Sequence, residues 1–228
     1  FKQLFDNKSS TYTYLISSGK GREALIIDPV IEHTEEYLKV LQNLNLKLVK
    51  VIDTHIHADH ITALNELNKR TDCTRIMGEN SKSEVIDLKV KDNEKIKIEN
   101  IELKAIYTPG HTDCSYSYLM QDRVFTGDTL LINGTGRTDF QNGSSHDAYD
   151  SIFNKLLKLP EKTFVYPAHD YNGKKFSTIL DEKNNNPRLQ VSSKEEYADI
   201  MSNLNLANPK MMDIAVPANV KGLTMDQI

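Results

Sequence analysis

The sequence predicts an α+β fold in which two mixed β-sheets pack face to face and helices cover their outer surfaces. Strand-like stretches fall into two blocks, each followed by helices, which is the order expected when two sheets share a core. The chain has 228 residues, of which 39% are hydrophobic, and this is enough to bury one substantial core. Polar His and Asp residues also recur at the ends of several predicted strands.

The first block begins with a predicted hairpin, whose strands cover 11–18 and 23–28 on either side of a glycine-containing turn. Apolar residues at every third or fourth position predict a helix over 33–45. A strand is predicted over 48–53, and a second amphipathic helix over 61–70. These elements supply one sheet and the helices that cover it.

The second block is predicted to contain two hairpins, a helix, a strand and a last helix. Their bounds are 95–98 with 101–107, 115–120 with 124–126, 146–159, 163–166 and 194–204. Ser192, with Glu195 three residues later, predicts a capping box at the start of the last helix.

Composition argues against several classes of partner. The net charge is −4, from 28 basic and 32 acidic residues, so the chain offers no basic stripe for a nucleic acid. No apolar run is long enough to cross a bilayer and no signal peptide precedes the first strand, so we expect a soluble protein that is not secreted and has no membrane partner. Cys73 and Cys114 are too few for a disulfide framework, which favours a reducing compartment.

The strongest functional signal is the segment 54–60, Thr-His-Ile-His-Ala-Asp-His, which directly follows the predicted strand at 48–53. Imidazole is the commonest metal ligand in proteins, and a purely structural cluster would leave several buried imidazoles without a partner. Three later strands end in the same way, and present His111, Asp128 and His169. Ligands on several loops at one sheet edge predict a metal site.

These motifs, in this order, resemble those of the metallo-β-lactamase superfamily. Several further segments resemble the persulfide dioxygenases within it: 136–141, 166–171, 186–189, 203–206 and 215–219. The resemblance runs over nearly the whole chain. It implies an αββα sandwich and a single catalytic domain over 1–228, with a short C-terminal extension from about residue 184.

The resemblance leaves two metal arrangements open. For a persulfide dioxygenase it implies one Fe(II) per chain, bound by His55, His111 and Asp128, because two imidazoles and one carboxylate are the ligands of many non-haem iron oxygenases. Four other residues would then orient ligands or water by hydrogen bonds: His57, Asp59, His60 and His169. In the hydrolytic relatives, all seven residues would hold two Zn ions that generate a hydroxide.

The dioxygenase resemblance implies conversion of glutathione persulfide, O2 and water to sulfite and glutathione, in sulfide detoxification. Arg137 and Arg188 would bind the glutathione carboxylates, because a guanidinium suits bidentate carboxylate binding. An ion pair between Arg137 and Asp139 is the alternative for the first of these. Tyr171 would act near the substrate sulfur, as a catalytic and substrate-binding residue.

Two other functions stay open at this point. The first is hydrolysis of glutathione thioesters by a dinuclear enzyme of the glyoxalase II type, although such enzymes are expected to carry a longer helical region after the core. The second is a non-catalytic module that binds a persulfide and passes sulfur to a partner. For every alternative we expect a bacterial cytoplasm or a mitochondrial matrix, and relatives suggest a homodimer.

Overall fold

The computed structural model describes residues 1–209 and 211–228, and its strands form two mixed six-stranded sheets. The strands of the first sheet follow chain order. They are β1 (Lys2–Asp6), β2 (Thr11–Ser17), β3 (Glu23–Ile27), β4 (Lys47–Ile52), β5 (Thr74–Gly78) and β6 (Leu88–Val90). Strands β1 to β3 pair antiparallel, whereas β3 to β6 pair parallel.

The second sheet is also ordered along the chain. Its strands are β7 (Lys95–Ile98), β8 (Ile101–Tyr107), β9 (Tyr116–Leu119), β10 (Arg123–Gly127), β11 (Phe164–Pro167) and β12 (Ser177–Thr178). Among the described strands of this sheet, only β10 and β11 pair parallel, so both strands end at the same edge of the sheet.

Six α-helices lie in the described part of the chain. They are α1 (Thr34–Asn43), α2 (Leu64–Thr71), α3 (Ser145–Tyr149), α4 (Ile179–Asn185), α5 (Lys194–Ser202) and α6 (Met212–Lys221). Helix α3 continues directly into a π-helix and a 3-10 turn; together they span 145–158, whereas the helix was predicted over 146–159. No helix among the described residues has both the length and the hydrophobicity needed to span a membrane.

The main core lies between the two sheets, because alternate residues of each strand point to opposite faces. In β3, Leu25 and Ile27 join this core together with Phe125 of the second sheet. Ala24 and Ile26 point to the opposite face, where they pack with residues of the helices α1, α2 and α6. The strand therefore contributes to two apolar layers at once.

The second sheet is covered in the same way. Val124 and Val165 pack outward against buried residues of the π-helix and of α4 and α5, such as Ile152 and Tyr197. Helices thus cover both outer faces of the paired sheets. The predicted αββα sandwich is confirmed.

One boundary prediction is wrong by one residue. The N-cap of α5 is Ser193, not Ser192, because Ser193 has the extended conformation of an N-cap and its Oγ accepts a hydrogen bond from the Glu196 N–H. Ser192 instead donates its N–H and its hydroxyl to the Glu196 carboxylate. The expected boundary near residue 184 falls inside α4, and the division into a domain and an extension stays a prediction.

Candidate metal centre

The seven predicted ligand residues meet at one edge of the sandwich. Four of them lie in the loop after β4, and the other three follow β8, β10 and β11. Two groups of side chains can be distinguished by their contacts. We call His55, His111 and Asp128 the triad; His57, Asp59, His60 and His169 form the network.

The triad gathers two imidazoles around one carboxylate oxygen. His55 Nε2 lies 4.0 Å from Asp128 Oδ2, and His111 Nε2 lies 3.5 Å from the same oxygen. One ligand atom from each residue falls within 4.8 Å of the other two. These distances are too long for good hydrogen bonds between the rings and the carboxylate, and they leave space for an ion among the three atoms.

Thr54 holds the His55 ring from behind. The Thr54 hydroxyl lies 3.0 Å from Asp28 Oδ2, which can only accept, so the hydroxyl donates there and accepts from His55 Nδ1 at 2.9 Å. This fixes the proton on Nδ1 and leaves the Nε2 lone pair facing the triad. Burial, together with the neighbouring His57 and His111 rings, lowers the pKa of His55 well below its usual value, so the ring is neutral.

Asp28 anchors the loop after β4 at a second point. It follows β3 with a left-handed backbone (φ +50°), and its carboxylate also accepts the Thr54 backbone N–H at 2.7 Å and His57 Nε2–H at 3.0 Å. Such a backbone conformation costs energy for a residue other than glycine, and the surrounding hydrogen bonds hold it. Asp28 was not among the predicted site residues.

His111 is held by the loop that follows β10. Its Nδ1–H donates to the Arg137 carbonyl oxygen at 2.8 Å, so its Nε2 lone pair faces the triad. Gly136 lies beside this contact and donates its N–H to Asp128 O at 2.8 Å. A Cβ atom at Gly136 would collide with Asp128 O and crowd the His111 ring, so only glycine fits there.

Asp128 is oriented by the network. Its Oδ1 accepts His169 Nδ1–H at 2.6 Å, while its Oδ2 faces the two triad imidazoles. Burial alone would raise the pKa of Asp128, but His169, His111 and His55 hold it well below its usual range. The carboxylate is therefore ionised, as a metal ligand requires.

Within the network, Asp59 bonds to His60 and to His169, whereas His57 bonds to Asp28. His169 Nε2 lies 2.8 Å from Asp59 Oδ2, which also lies 2.9 Å from His60 Nδ1. The buried Thr11 hydroxyl lies within 3.3 Å of Asp59 Oδ2 and of the two rings. Burial alone would lower the pKa of His169, but the carboxylates of Asp128 and Asp59 raise it well above its usual value.

Two buried nitrogen atoms in the network have no hydrogen-bond partner among the described residues, namely His57 Nδ1 and His60 Nε2. Buried polar atoms are rarely left unpaired in proteins, and metal ligation is one use for such an atom. His57, Asp59 and His60 also bring three ligand atoms within 4.8 Å of one another. The donor set of the site therefore fits one metal at the triad, and the ligand atoms of His57, Asp59 and His60 would fit a second one beside it.

The two predicted substrate arginines differ in their surroundings. The Arg137 guanidinium forms a two-point ion pair with Asp139, at 2.7 and 2.8 Å, and its third nitrogen donates to Ala207 O. The ion pair that the sequence left open is thus present. Arg188 donates one nitrogen to Thr135 and makes no other side-chain hydrogen bond within the described residues, so donors remain for a ligand.

Tyr171 lies at the entrance of the site. Its ring is parallel to that of His169, with a centroid separation of 6.2 Å and an interplanar angle of 5°. The side chain is largely exposed, unlike the buried ring beneath it. Asp170 shapes this loop, since its carboxylate accepts the N–H groups of Asn172 and Lys174 at 2.9 and 2.7 Å.

Comparison with known proteins shows which family the chain belongs to. The family model of the metallo-beta-lactamase superfamily matches residues 7–169. The mitochondrial persulfide dioxygenase ETHE1 of Mus musculus is 41% identical over 223 residues, covering 96% of this chain and 87% of the relative. The chain belongs to the persulfide dioxygenase family of the metallo-beta-lactamase superfamily.

A solved structure and a hydrolase extend the comparison. The crystal structure of ETHE1 from Myxococcus xanthus superimposes with a TM-score of 0.94 at 48% identity, covering 96% of this chain and 97% of that one. The hydroxyacylglutathione hydrolase of Dictyostelium discoideum is 32% identical, covering 78% of this chain and 69% of the relative. This persulfide dioxygenase family member is thus more similar to the two ETHE1 proteins than to the hydrolase.

Several residues that shape the centre were not predicted, namely Asp28, Thr11, Thr54, Gln141 and Asn219. Each is polar and buried or half-buried, and each donates to or accepts from a residue of the ligand loops. Three of them, Thr54, Gln141 and Asn219, lie in the motifs at 54–60, 136–141 and 215–219. Membership of a motif could therefore have indicated these residues as part of the site. Asp28 could have been indicated only by its place at the end of an apolar strand.

Proposed function

We propose that the protein is a glutathione persulfide dioxygenase. In this reaction the terminal sulfur of the persulfide loses four electrons, which reduce one O2. Both oxygen atoms of O2 and one from water end in sulfite, and glutathione and two protons are released. The observation that carries the proposal is the triad of two imidazoles that face one ionised carboxylate, in a chain that is 41% identical to a persulfide dioxygenase.

The triad suits Fe(II). Two imidazole nitrogens and one carboxylate oxygen are the ligands of many non-haem iron oxygenases, and they leave coordination positions free for other molecules. Fe(II) bound by His55, His111 and Asp128 would supply the redox chemistry that makes O2 reactive toward the persulfide sulfur. Binding needs no prior proton loss at His55, because its pKa is lowered well below its usual value by burial.

The network holds the Asp128 carboxylate of the triad in position. His169 holds a proton at Nδ1, next to Asp128 Oδ1, and this contact turns Oδ2 toward the two triad imidazoles. Asp59 holds the other side of the same ring through Nε2. In this role the network acts on the ligands through hydrogen bonds, as partners of metal ligands commonly do.

Arg188 and Tyr171 are the residues that we assign to the substrate. Arg188 has free guanidinium donors for a glutathione carboxylate, whereas all the nitrogens of Arg137 already have protein partners. Tyr171 presents its exposed ring directly over His169, at the entrance where the persulfide would arrive. We infer that Arg137 holds the loop whose carbonyl oxygen accepts a hydrogen bond from His111. Arg188 would bind a carboxylate of glutathione.

The relatives also suggest a setting for the enzyme. The ETHE1 proteins of Mus musculus and Homo sapiens are named mitochondrial, and a related one comes from the bacterium Myxococcus xanthus. We place the enzyme in a mitochondrial matrix or a bacterial cytoplasm, as a homodimer. Light scattering coupled to size-exclusion chromatography tests the dimer.

The first experiment is O2 uptake by protein loaded anaerobically with Fe(II), on addition of glutathione persulfide. We expect one sulfite for each O2 consumed, and two labelled oxygen atoms in sulfite when ¹⁸O₂ is used. His111→Ala, loaded in the same way, is the control and should show no uptake. No uptake by the fully iron-loaded native protein contradicts the proposal.

A dinuclear thioester hydrolase is the second candidate. His57 Nδ1 and His60 Nε2 favour it, because neither atom has a hydrogen-bond partner within the described residues and both could bind a second ion. This candidate requires two Zn per chain and hydrolysis of a glutathione thioester. X-ray fluorescence at the iron and zinc edges counts the metals, and two Zn with thioester turnover would decide for the hydrolase.

A further inference from the structure

We propose that Asn219, in the C-terminal helix α6, positions the metal-binding loop after β4. Its side-chain amide donates to His57 O at 2.9 Å and to His60 O at 3.0 Å. Its carbonyl oxygen accepts the Thr62 N–H at 2.9 Å. One side chain thereby links three backbone groups of residues 57–62 to a helix that lies more than 150 residues further along the chain.

These hydrogen bonds use both donors of the Asn219 amide. Each of its two N–H groups meets a carbonyl oxygen of the loop. Asn219 is buried, so breaking any of these hydrogen bonds leaves a desolvated polar group without a partner. Within the described residues, the carbonyl oxygens of His57 and His60 have no other hydrogen-bond donor.

Helix α6 provides a fixed base for this contact. Ala215 and Ala218 pack into the outer core of the first sheet, together with residues of α1 and α2. The α6 C-cap, Gly222, is held separately by Asn65 of α2, whose side-chain amide donates to the Gly222 carbonyl. The helix is therefore anchored at points other than Asn219, and Asn219 faces the loop from a position that packing determines.

The contact has a direct consequence for the metal centre. Asn219 holds the backbone carbonyls of His57 and His60. The same two residues carry the nitrogens that have no partner among the described residues, His57 Nδ1 and His60 Nε2. A mobile loop would rotate these nitrogens toward water, because burial without a partner is unfavourable. Asn219 opposes this motion. The loop also carries His55, so its geometry affects the triad, and in this respect the inference depends on the proposed metal centre.

Asn219→Asp tests the inference with almost no change in shape. The carboxylate keeps an acceptor for Thr62 N–H but places an oxygen against the carbonyls of His57 and His60 in place of the two donors. Asn65→Asp is the matched control, because it removes an amide donor to the same helix and does not touch the loop. The readouts are the rate at which a chelator removes Fe(II) and the visible absorption of the Co(II)-substituted protein.

We expect Asn219→Asp to release iron roughly 10- to 100-fold faster, as is typical when a hydrogen-bond partner behind metal ligands is lost, and to shift the Co(II) absorption bands. Asn65→Asp should release iron at the native rate. Asn219→Ser is made in parallel, so that a folded variant is available if Asn219→Asp fails to fold. Native iron release and an unchanged Co(II) spectrum in the folded Asn219 variants would overturn the inference.

His111→Ala separates failure of this inference from failure of the proposed metal centre. If His111→Ala loses Fe(II) while the Asn219 variants keep it like the native protein, only the role of Asn219 is wrong. If His111→Ala also binds Fe(II) normally, the triad is not the metal site, and a role for Asn219 at that site fails with it. A lower melting temperature with native iron release counts against the inference, because it shows a purely structural contact.

Discussion

The triad and the network contain the same residue types but are held in different ways. Each triad imidazole is fixed from behind, by Thr54 or by the Arg137 carbonyl, and turns a free Nε2 toward Asp128. In the network, His169 uses both nitrogens on carboxylates. An imidazole nitrogen is available to bind a metal when a hydrogen bond holds the ring at the other nitrogen and no protein group pairs with the first. By this criterion His169 is a hydrogen-bonding partner, whereas His57 and His60, held by Asp28 and Asp59, each keep a nitrogen without a partner among the described residues, where a second metal ion would bind.

The largest effect should come from removing one imidazole from each group. His111→Ala should lower Fe(II) affinity by more than about 100-fold and abolish O2 uptake, because removing a ligand costs more than removing a partner behind it. His60→Ala should retain one Fe(II) per chain, with a loss of about 10-fold in activity. Metal content after dialysis and O2 uptake measure both variants. Equal loss of metal in the two variants would show that the groups do not differ in role.

A smaller effect should follow when the Thr54 hydroxyl is removed and His55 itself is kept. Thr54→Val deletes the hydroxyl that accepts from His55 Nδ1, so the ring loses its fixed orientation. We expect Fe(II) affinity to fall about 10-fold, measured by competition with a chelator. Thr13→Val is the matched control, because the Thr13 hydroxyl donates to Asp28 O at 2.7 Å and contacts no triad residue. Both variants should lose stability, but only Thr54→Val should lose affinity for iron.

The two arginines differ in the same way, because one is assigned to the substrate and the other supports His111. Arg188→Gln should raise the KM for glutathione persulfide about 10-fold, as expected for the loss of a charged hydrogen bond, and leave iron binding unchanged. Arg137→Gln should loosen the loop whose carbonyl holds His111, so that iron affinity falls severalfold with little change in KM. Steady-state kinetics at saturating iron separate these outcomes. A raised KM for Arg137→Gln alone would reverse the two assignments.

Local patterns predicted the fold well where an element carries its own signal. The hairpin of β7 and β8 has the predicted bounds, because alternating residues and a short turn define it without help from distant contacts. Strands β5 and β6 were not predicted, since they pair parallel and their buried positions do not alternate, so the local sequence carries no two-residue period. Helix α6 was missed because Pro217 in its interior argues against a helix, although packing of Ala215 and Ala218 stabilises it.

The gathering of His and Asp side chains at one sheet edge was accessible to sequence reasoning, whereas the distant residues that hold them in place were not. His55 and His111 lie in dense motifs, whereas Asp28 and Asn219 reach the same loop from positions far away in the chain. Such contacts depend on how the sheets and α6 pack. Arg137 shows the limit of a motif, because the motif marks an important loop but does not say whether the guanidinium or the backbone carbonyl is the functional group.

The smallest effect is expected for a substitution at Asp6, through which a line of hydrogen bonds connects the network to the protein surface. The Thr11 hydroxyl lies 2.7 Å from Ser9 Oγ, which donates to Asp6 at 2.6 Å, and Asp6 lies 2.9 Å from His33 Nε2. Burial alone would raise the pKa of Asp6, but hydrogen bonds from Ser9 and His33 lower it to about 2. Burial alone would lower the pKa of His33, but Asp6 and Glu36 raise it.

The signs of these shifts define a pH window for Asp6→Asn. The stability from ionised Asp6 is present above its usual pKa of 3.8 and is lost as pH falls toward about 2. The stability from protonated His33 is present below its usual pKa of 6.5 and is lost as pH rises through the raised value. The substitution should therefore lower the free energy of unfolding most between these two pH values, by on the order of 1 kcal/mol for this partly exposed pair.

Urea unfolding of Asp6→Asn and the native protein at about pH 5 and about pH 8.5 measures this difference, with Lys8→Gln as a control that removes only an exposed ion pair with Glu32. Iron affinity should not change, because the line of hydrogen bonds from Asp6 ends at the network and the triad has separate supports in Thr54 and the Arg137 carbonyl. A loss of iron affinity in Asp6→Asn would mean that the network transmits changes at the surface to the triad, and that the two groups act as one unit.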